Sequence, residues 1–254
     1  MQSKYVSPVI QALVFASMLM GMSASRAAEI KLIAANAVKA SVLEIIANFE
    51  KTSGHKVVAV WSGTDAIAKR VDSGEVFDVV VIATQNVDKL AQDGKVVAGS
   101  KTDFAKSGVG IAVRSGLPRP DVSSSDAVKR AVLGAGSVAY SSGPSGYYLV
   151  ELFKKLGIFD QIKDKVRQPP SGTQVGELVA RGEADLGFQQ ISELINVKGI
   201  DYLGPLPPEI QNVTVYSAGL LTASPAPDAA RIFIRLLAAP ESAAPIKKIG
   251  MDPA

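Results

Sequence analysis

The stretch "SVAYSSGPSGYYLVELFKKLG" (Ser137–Gly157) joins three patterns. Ser137–Ser142 reads as a short strand. Ser141–Gly146 is a loop of hydroxyls, glycines and one proline. Tyr148, Leu149, Leu152, Phe153 and Leu156 then recur at helical spacing up to a stop at Gly157. Strand, small-residue loop and helix form the repeating unit of an α/β protein. At such a junction unpaired backbone N–H groups and the positive end of a helix macrodipole meet beside short hydroxyls. The segment is therefore a candidate anion cradle, although caps and turns use the same residues.

The unit recurs along the chain. Ile30–Asn36 reads as a strand, and Val38, Val42, Ile45, Ile46 and Phe49 form a helical stripe ending near Ser53-Gly54. Lys56–Trp61 is the next strand, followed by Ser62-Gly63-Thr64-Asp65 and a helix carrying Ile67, Ala68 and Val71. Phe77–Thr84 is a continuous apolar run, as in a strand covered on both faces, and the alternation predicts a parallel sheet. After a crossing near Ser107–Gly116 the pattern restarts with a helix at Asp126–Leu133 and the Ser137–Gly157 unit. A second loop at Pro169–Gln174, a short helix and a strand at Asp185–Gln189 follow. A long strand signal at Asn212–Ser224 and two closing helices complete the chain. This order implies two α/β lobes with two crossings, residues 28–112 and 214–254 forming lobe I and 113–213 lobe II.

Residues 1–27 read as a signal peptide: Lys4 supplies the positive start, Val9–Met22 the apolar core, and Ser25-Arg26-Ala27 the small-x-small cleavage site. That places the mature protein in the periplasm. The apolar core is short for a span and no second one follows, so no stable membrane insertion is expected. The chain has no cysteine, hence no lipid-attachment site and no disulfide, and stability must come from burial alone. Loss of Lys4 and Arg26 leaves 25 basic against 24 acidic residues. Such a balance argues against a nucleic-acid partner.

Four loops share one composition: Ala34–Ala37, Trp61–Ala66, Ser141–Tyr147 and Pro169–Gln174. Each precedes a predicted helix, and three directly follow a predicted strand. Loops at the carboxyl ends of strands are where ligands sit in open α/β sheets. Converging on an interlobe cleft, they would offer backbone N–H groups and the hydroxyls of Ser62, Thr64, Ser145 and Thr173. Neutral donors can hold an anion reversibly without the desolvation cost of a buried salt bridge.

The segments "IKLIAANAVKASVLEIIANFEKTSG", "SGTDAIAKRVDSGEVFDVVVIAT", "PSGYYLVELFKKLG" and "ELVARGEADLGF" resemble, in order and spacing, the periplasmic molybdate-binding proteins. These are type II solute-binding proteins of ABC importers, and the likeness covers nearly the whole mature chain. It implies a two-lobed fold, each lobe a sheet flanked by helices, with the ligand cleft between them. It also implies capture of a small anion by lobe closure, an importer permease as partner, no cofactor and no enzymatic activity. Ser145, Gly146 and Gly172 match ligand positions that act through backbone N–H groups, with Tyr147 and Thr173 beside them.

The other loops depart from the family pattern. Ala37, beside Asn36, stands where the family has a serine, Asp65 stands at a ligand serine of the second loop next to Ser62 and Thr64, and Gln190 replaces a tyrosine. Two hydroxyl donors are gone and a carboxylate has arrived. Asn36, Gln189 and Gln190 suit a small carboxylate, so the ligand is either a molybdate- or tungstate-type oxyanion or a small carboxylate. Asp65 is either a ligand contact or a helix cap.

Other chemistries find little support. His55 is the only histidine, so a zinc or copper site is not expected, and it lies in no nucleophile-elbow pattern. "GPSGYYL" lacks the Lys-Ser/Thr ending of a nucleotide-binding loop. Trp61 and Tyr147 are cleft walls or core residues, and Arg70 is an exposed side chain or a carboxylate clamp. The alternative to transport is an exported enzyme or surface interaction protein reusing the same fold.

Overall fold

The computed structural model describes residues 27–254, so the signal-peptide reading lies, apart from Ala27, outside the described residues. In chain order the elements are β1 (Glu29–Ala35), a 3-10 turn (Asn36–Val38), α1 (Lys39–Ser53), β2 (Lys56–Ser62), α2 (Thr64–Asp72), β3 (Val79–Ala83) and α3 (Thr84–Gln92). Then come β4 (Thr102–Arg114), α4 (Ser125–Gly134), β5 (Val138–Tyr140), α5 (Pro144–Lys155), α6 (Phe159–Ile162), β6 (Val166–Arg167), α7 (Val175–Ala180), β7 (Leu186–Gln190) and α8 (Ile191–Leu194). The chain closes with β8 (Ile200–Pro205), β9 (Val213–Leu220), α9 (Pro227–Leu237), α10 (Ala243–Lys248) and β10 (Asp252–Pro253).

Local chemistry sets several boundaries. Gly54 ends α1 in the left-handed conformation (φ 73°), where its N–H reaches Glu50 O, a conformation costly for a residue with a side chain. Ser124 caps α4 by accepting from Ala127 N at 3.2 Å. Pro144 opens α5, where its missing N–H costs no helical hydrogen bond.

The sheet order is β2-β1-β3-β9-β4-β7-β5-β6, with β8 and β10 also paired to β4. β1 is parallel to β2 and β3, and β5 is parallel to β6 and β7. The expectation of a parallel sheet holds within these groups only. β9 returns from the second lobe and runs antiparallel to β3, and β4 runs antiparallel to β9 and β7. The predicted crossing is the latter part of the long strand β4. Its Thr102–Gly108 half pairs with β9, and its Val109–Arg114 half pairs with β7 and β8.

Two apolar cores flank that changeover. The first includes Phe49, Ile67, Phe104, Ala105, Tyr216 and Phe233, with Phe49 edge-on to Phe233 at 5.2 Å. The second includes Val109, Ile111, Phe153, Phe188 and Ile210, with Phe153 edge-on to Phe188 at 5.9 Å. Every residue of β3 is buried, as its unbroken apolar run requires. Trp61 is half-buried and packs against the first core. Strands β6, β8 and β10 are short, half-exposed or interrupted by glycine and proline and leave no periodic signal, whereas helix α3, with Val87 and Leu90 buried at helical spacing, adds to the predicted elements.

Asp78 ties the first lobe together. Fully buried, it accepts from Lys31 N at 2.7 Å, Ala226 N at 2.9 Å and Ser224 Oγ, linking β1 to the approach of α9. Asp78→Ala leaves these donors without a partner and should cost about 3 kcal/mol. Urea unfolding followed by circular dichroism checks this, and a loss below about 1 kcal/mol would contradict the assignment.

Candidate functional site

The four small-residue loops meet in one chamber between the two cores. Its walls include Asn36, Ala37, Ser62, Gly63, Thr64, Ser141–Ser145, Ser171–Thr173, Gln189, Gln190, Glu193 and Tyr216. About 40 Å³ inside is reachable by the centre of a water-sized sphere.

Helix starts supply the donors. Ile67 N is bonded to Gly63 O at 3.0 Å, which leaves the N–H of Thr64, in the chamber wall, outside the α2 ladder. Tyr147 N is bonded to Gly143 O at 3.0 Å, which leaves that of Ser145, also in the wall, outside the α5 ladder. Ser145 is buried and its Oγ lies 2.9 Å from Ser141 Oγ. Gly146 packs so tightly that a Cβ there would stand 1.6 Å from Ser141 O. No lysine or arginine lines the chamber among the described residues.

The lobes touch at the chamber's edge. Asn36 Nδ2 donates to Gly172 O at 2.8 Å, and a Cβ on Gly63 would lie 2.2 Å from Ser171 Oγ and 2.7 Å from Gly172 N. Gly172 has φ +93°, open to glycine and strained for other residues. Farther out, Tyr147 Oη donates to Asp65 Oδ2. Burial and the Asp65 carboxylate push the Tyr147 phenol up to about 12, so it remains the donor.

Of the residues singled out in the sequence, Asn36, Ala37, Ser62, Thr64, Ser145, Gly172, Thr173 and Gln190 line the chamber. Asp65, Gly146 and Tyr147 do not. Asp65 and Tyr147 instead latch the two lobes outside it, and Gly146 allows the α5 start to pack against Ser141. Gln190 is taken up by the crossing strands. With its amide turned to satisfy both ends, it donates to Ser107 O at 3.1 Å and Gly108 O at 3.2 Å and accepts from Thr214 Oγ1 at 2.9 Å. Arg70 pairs with Glu75 and lies over Phe77, away from the chamber. Buried His55 accepts from Ala28 N at 3.0 Å, a structural role.

Two chamber residues escaped the sequence reading. Glu193, in the short helix after β7, is half-buried, and desolvation pushes its carboxyl up to about 7 against a hydrogen bond from Gln189. Gln189 Oε1 accepts from Val175 N at 2.8 Å, so its amide N–H is the end left for Glu193. Tyr216 is buried on β9, and burial, reinforced by Glu193, raises its phenol well above the usual value. In the sequence Glu193 resembles an ordinary helix-surface charge and Tyr216 a core residue. The one cue was the polar "QQISEL" directly after a buried strand.

Residues 30–252 match the family of bacterial extracellular solute-binding proteins. The chain is 37% identical over 238 residues to a protein of Pseudomonas sp. named aconitate isomerase, covering 91% of this chain and 90% of that one. It is 30% identical over 174 residues to the molybdate-binding protein ModA of Azotobacter vinelandii, covering 67% and 68%. The solved A. vinelandii periplasmic molybdate-binding protein superposes with a TM-score of 0.75 at 21% identity, covering 87% of this chain and 98% of that one.

Gly63→Ala is expected to hold the lobes apart, because the new methyl would meet the Gly172 backbone. Ligand affinity should fall roughly tenfold or more, about 1.4 kcal/mol, with thermal stability of the free protein nearly unchanged. Calorimetric titration showing wild-type affinity would remove the close approach from the binding mechanism. Tyr147→Phe removes only the exposed latch, worth about 1 kcal/mol, and should speed ligand release roughly fivefold in stopped-flow traces. An unchanged release rate would show that the latch does not restrain opening.

Proposed function

The chain belongs to the family of bacterial extracellular solute-binding proteins, and on that premise we propose that it captures a small organic carboxylate by lobe closure in the periplasm. It would then present the ligand to the permease of an ABC importer. The observation that carries this reading is the make-up of the chamber. Its hydroxyls, carboxamides and helix N-termini are neutral donors, and Glu193 is a carboxyl that can be protonated near neutral pH. A protonated carboxyl can donate to a carboxylate ligand, and the altered Ala37 and Gln190 positions lack the hydroxyls that the molybdate-binding pattern uses. The relative named aconitate isomerase supports a carboxylate, while the molybdate-binding relatives support the scaffold.

Closure needs a hinge, and we assign bending to Lys106–Gly108 and Gln211–Thr214, where the core packing changes lobe. A ligand drives closure only by binding the closed form better, and donors from both lobes supply that difference.

A second reading is favoured by one specific feature. Glu193 and Tyr216 are the ionisable residues of the lining, and they interact electrostatically. A carboxyl near neutrality beside a phenol is an arrangement for acid–base chemistry, so the chamber would transform the carboxylate it binds, as the name aconitate isomerase suggests.

A thermal-shift panel separates the ligands. Aconitate, citrate and smaller dicarboxylates should raise Tm, by about 2.7 kcal/mol of added stability at a hundredfold excess over Kd, while molybdate, tungstate and sulfate leave it unchanged. A shift with the inorganic oxyanions alone would overturn the carboxylate assignment and keep the family.

A further inference from the structure

We propose that Glu193 is the proton-transferring residue of the chamber, moving a proton between the two ends of an allylic unit in a bound unsaturated carboxylate. This inference rests on the second reading above, that the chamber transforms a carboxylate. In such a 1,3-shift the Glu193 carboxylate takes a proton from a carbon attached to the double bond. The C–H electron pair becomes part of a delocalised dienolate, and the proton returns to the far carbon as the double bond re-forms one position along. Product and substrate have the same composition, and Glu193 ends as it began. No oxidant, metal or water enters the balance.

The placement of Glu193 supports this role. It lines the chamber formed by the loops of both lobes, so a ligand held by Ser62, Thr64, Ser145 and Thr173 lies beside it. Gln189, fixed through Val175 N, leaves its amide N–H to orient the carboxyl. From β9, Tyr216 lines the same space. Raised well above its usual range, it stays a neutral donor able to stabilise the dienolate oxygen. Among the described residues the lining has no third ionisable side chain: η-turn Asn36, β7 residues Gln189 and Gln190 and the loop hydroxyls are all uncharged.

The electrostatics fit both halves of the reaction. A carboxyl that titrates near 7 is partly ionised at neutral pH, available as base, and becomes a competent acid once protonated. Its raised value also means that the folded protein holds this proton more tightly than the unfolded chain. Stability contributed by the neutral form is therefore full below the ordinary carboxyl range and is lost as pH rises towards 7. Such a cost is what a functional carboxyl, rather than a stabilising one, would carry.

The test uses the mature protein with trans-aconitate in D2O, following isomer formation and deuterium incorporation by proton NMR while thermal shift reports binding. Wild type is expected to bind, isomerise and incorporate deuterium, with kcat/KM rising through about pH 7. Glu193→Gln should retain the thermal shift and, at pH 8, match or exceed wild-type stability, yet lose isomerisation and exchange by roughly a hundredfold or more. Glu193→Asp should lie between them. Wild-type binding without isomerisation or exchange would overturn the proposal and leave carboxylate capture standing. A Glu193→Gln variant as fast as wild type would also overturn it. Absence of binding to any carboxylate would remove both the proposal and the reading beneath it.

Discussion

One strand belongs to both lobes, and the rest of the structure depends on that sharing. β4 spends its first half in the ladder with β9 and its second half in the ladders with β7 and β8. Neither sheet can be completed without it, so the lobes cannot separate. Side chains reinforce that point. Gln211 pairs with both Val109 N (2.8 Å) and Val109 O (3.0 Å), imitating a strand neighbour, and Gln190 bridges β4 to β9. A buried amide with both ends satisfied adds rigidity without the desolvation cost of a charge.

The same economy of charge shapes the chamber. Ion pairs such as Lys89–Asp93, Lys154–Glu151 and Lys248–Glu44 lie on the outside, where each contributes little. Inside, the wall is built of hydroxyls, amides and helix starts. Contacts between the lobes there are short-range and steric: Gly63 and Gly172 let two backbones approach until the lobes touch. Glu193 is the exception to neutrality, and its raised proton affinity follows from being placed among groups that cannot solvate a carboxylate as water does.

Membership of the solute-binding protein family accounts for the scaffold, and the loop chemistry is a separate matter. The chain resembles molybdate-binding proteins in fold, yet its extended identity is with a protein named for isomerising aconitate. A cleft lined by fixed dipoles already has part of what a catalytic site requires. A single protonatable residue in its wall is a small chemical step from a binding protein.

The sequence by itself determined the strand–loop–helix units, the four small-residue loops and the two-lobed order, because these signals are local: apolar spacing, turn residues and helix starts are written within a dozen residues. It marked Asn36, Ser62, Thr64, Ser145, Gly172 and Thr173, which fold into one chamber. Only the tertiary structure decided that Asp65 meets Tyr147 outside the chamber, that the Gln190 amide serves the crossing strands, and that Glu193 and Tyr216 share the chamber wall. Those outcomes join residues from different elements and both lobes. A glutamate on a short helix and a tyrosine in a strand carry no mark of their partner until the β4–β9 crossing brings them together, and burial then gives the carboxyl a chemistry that its sequence neighbours do not encode.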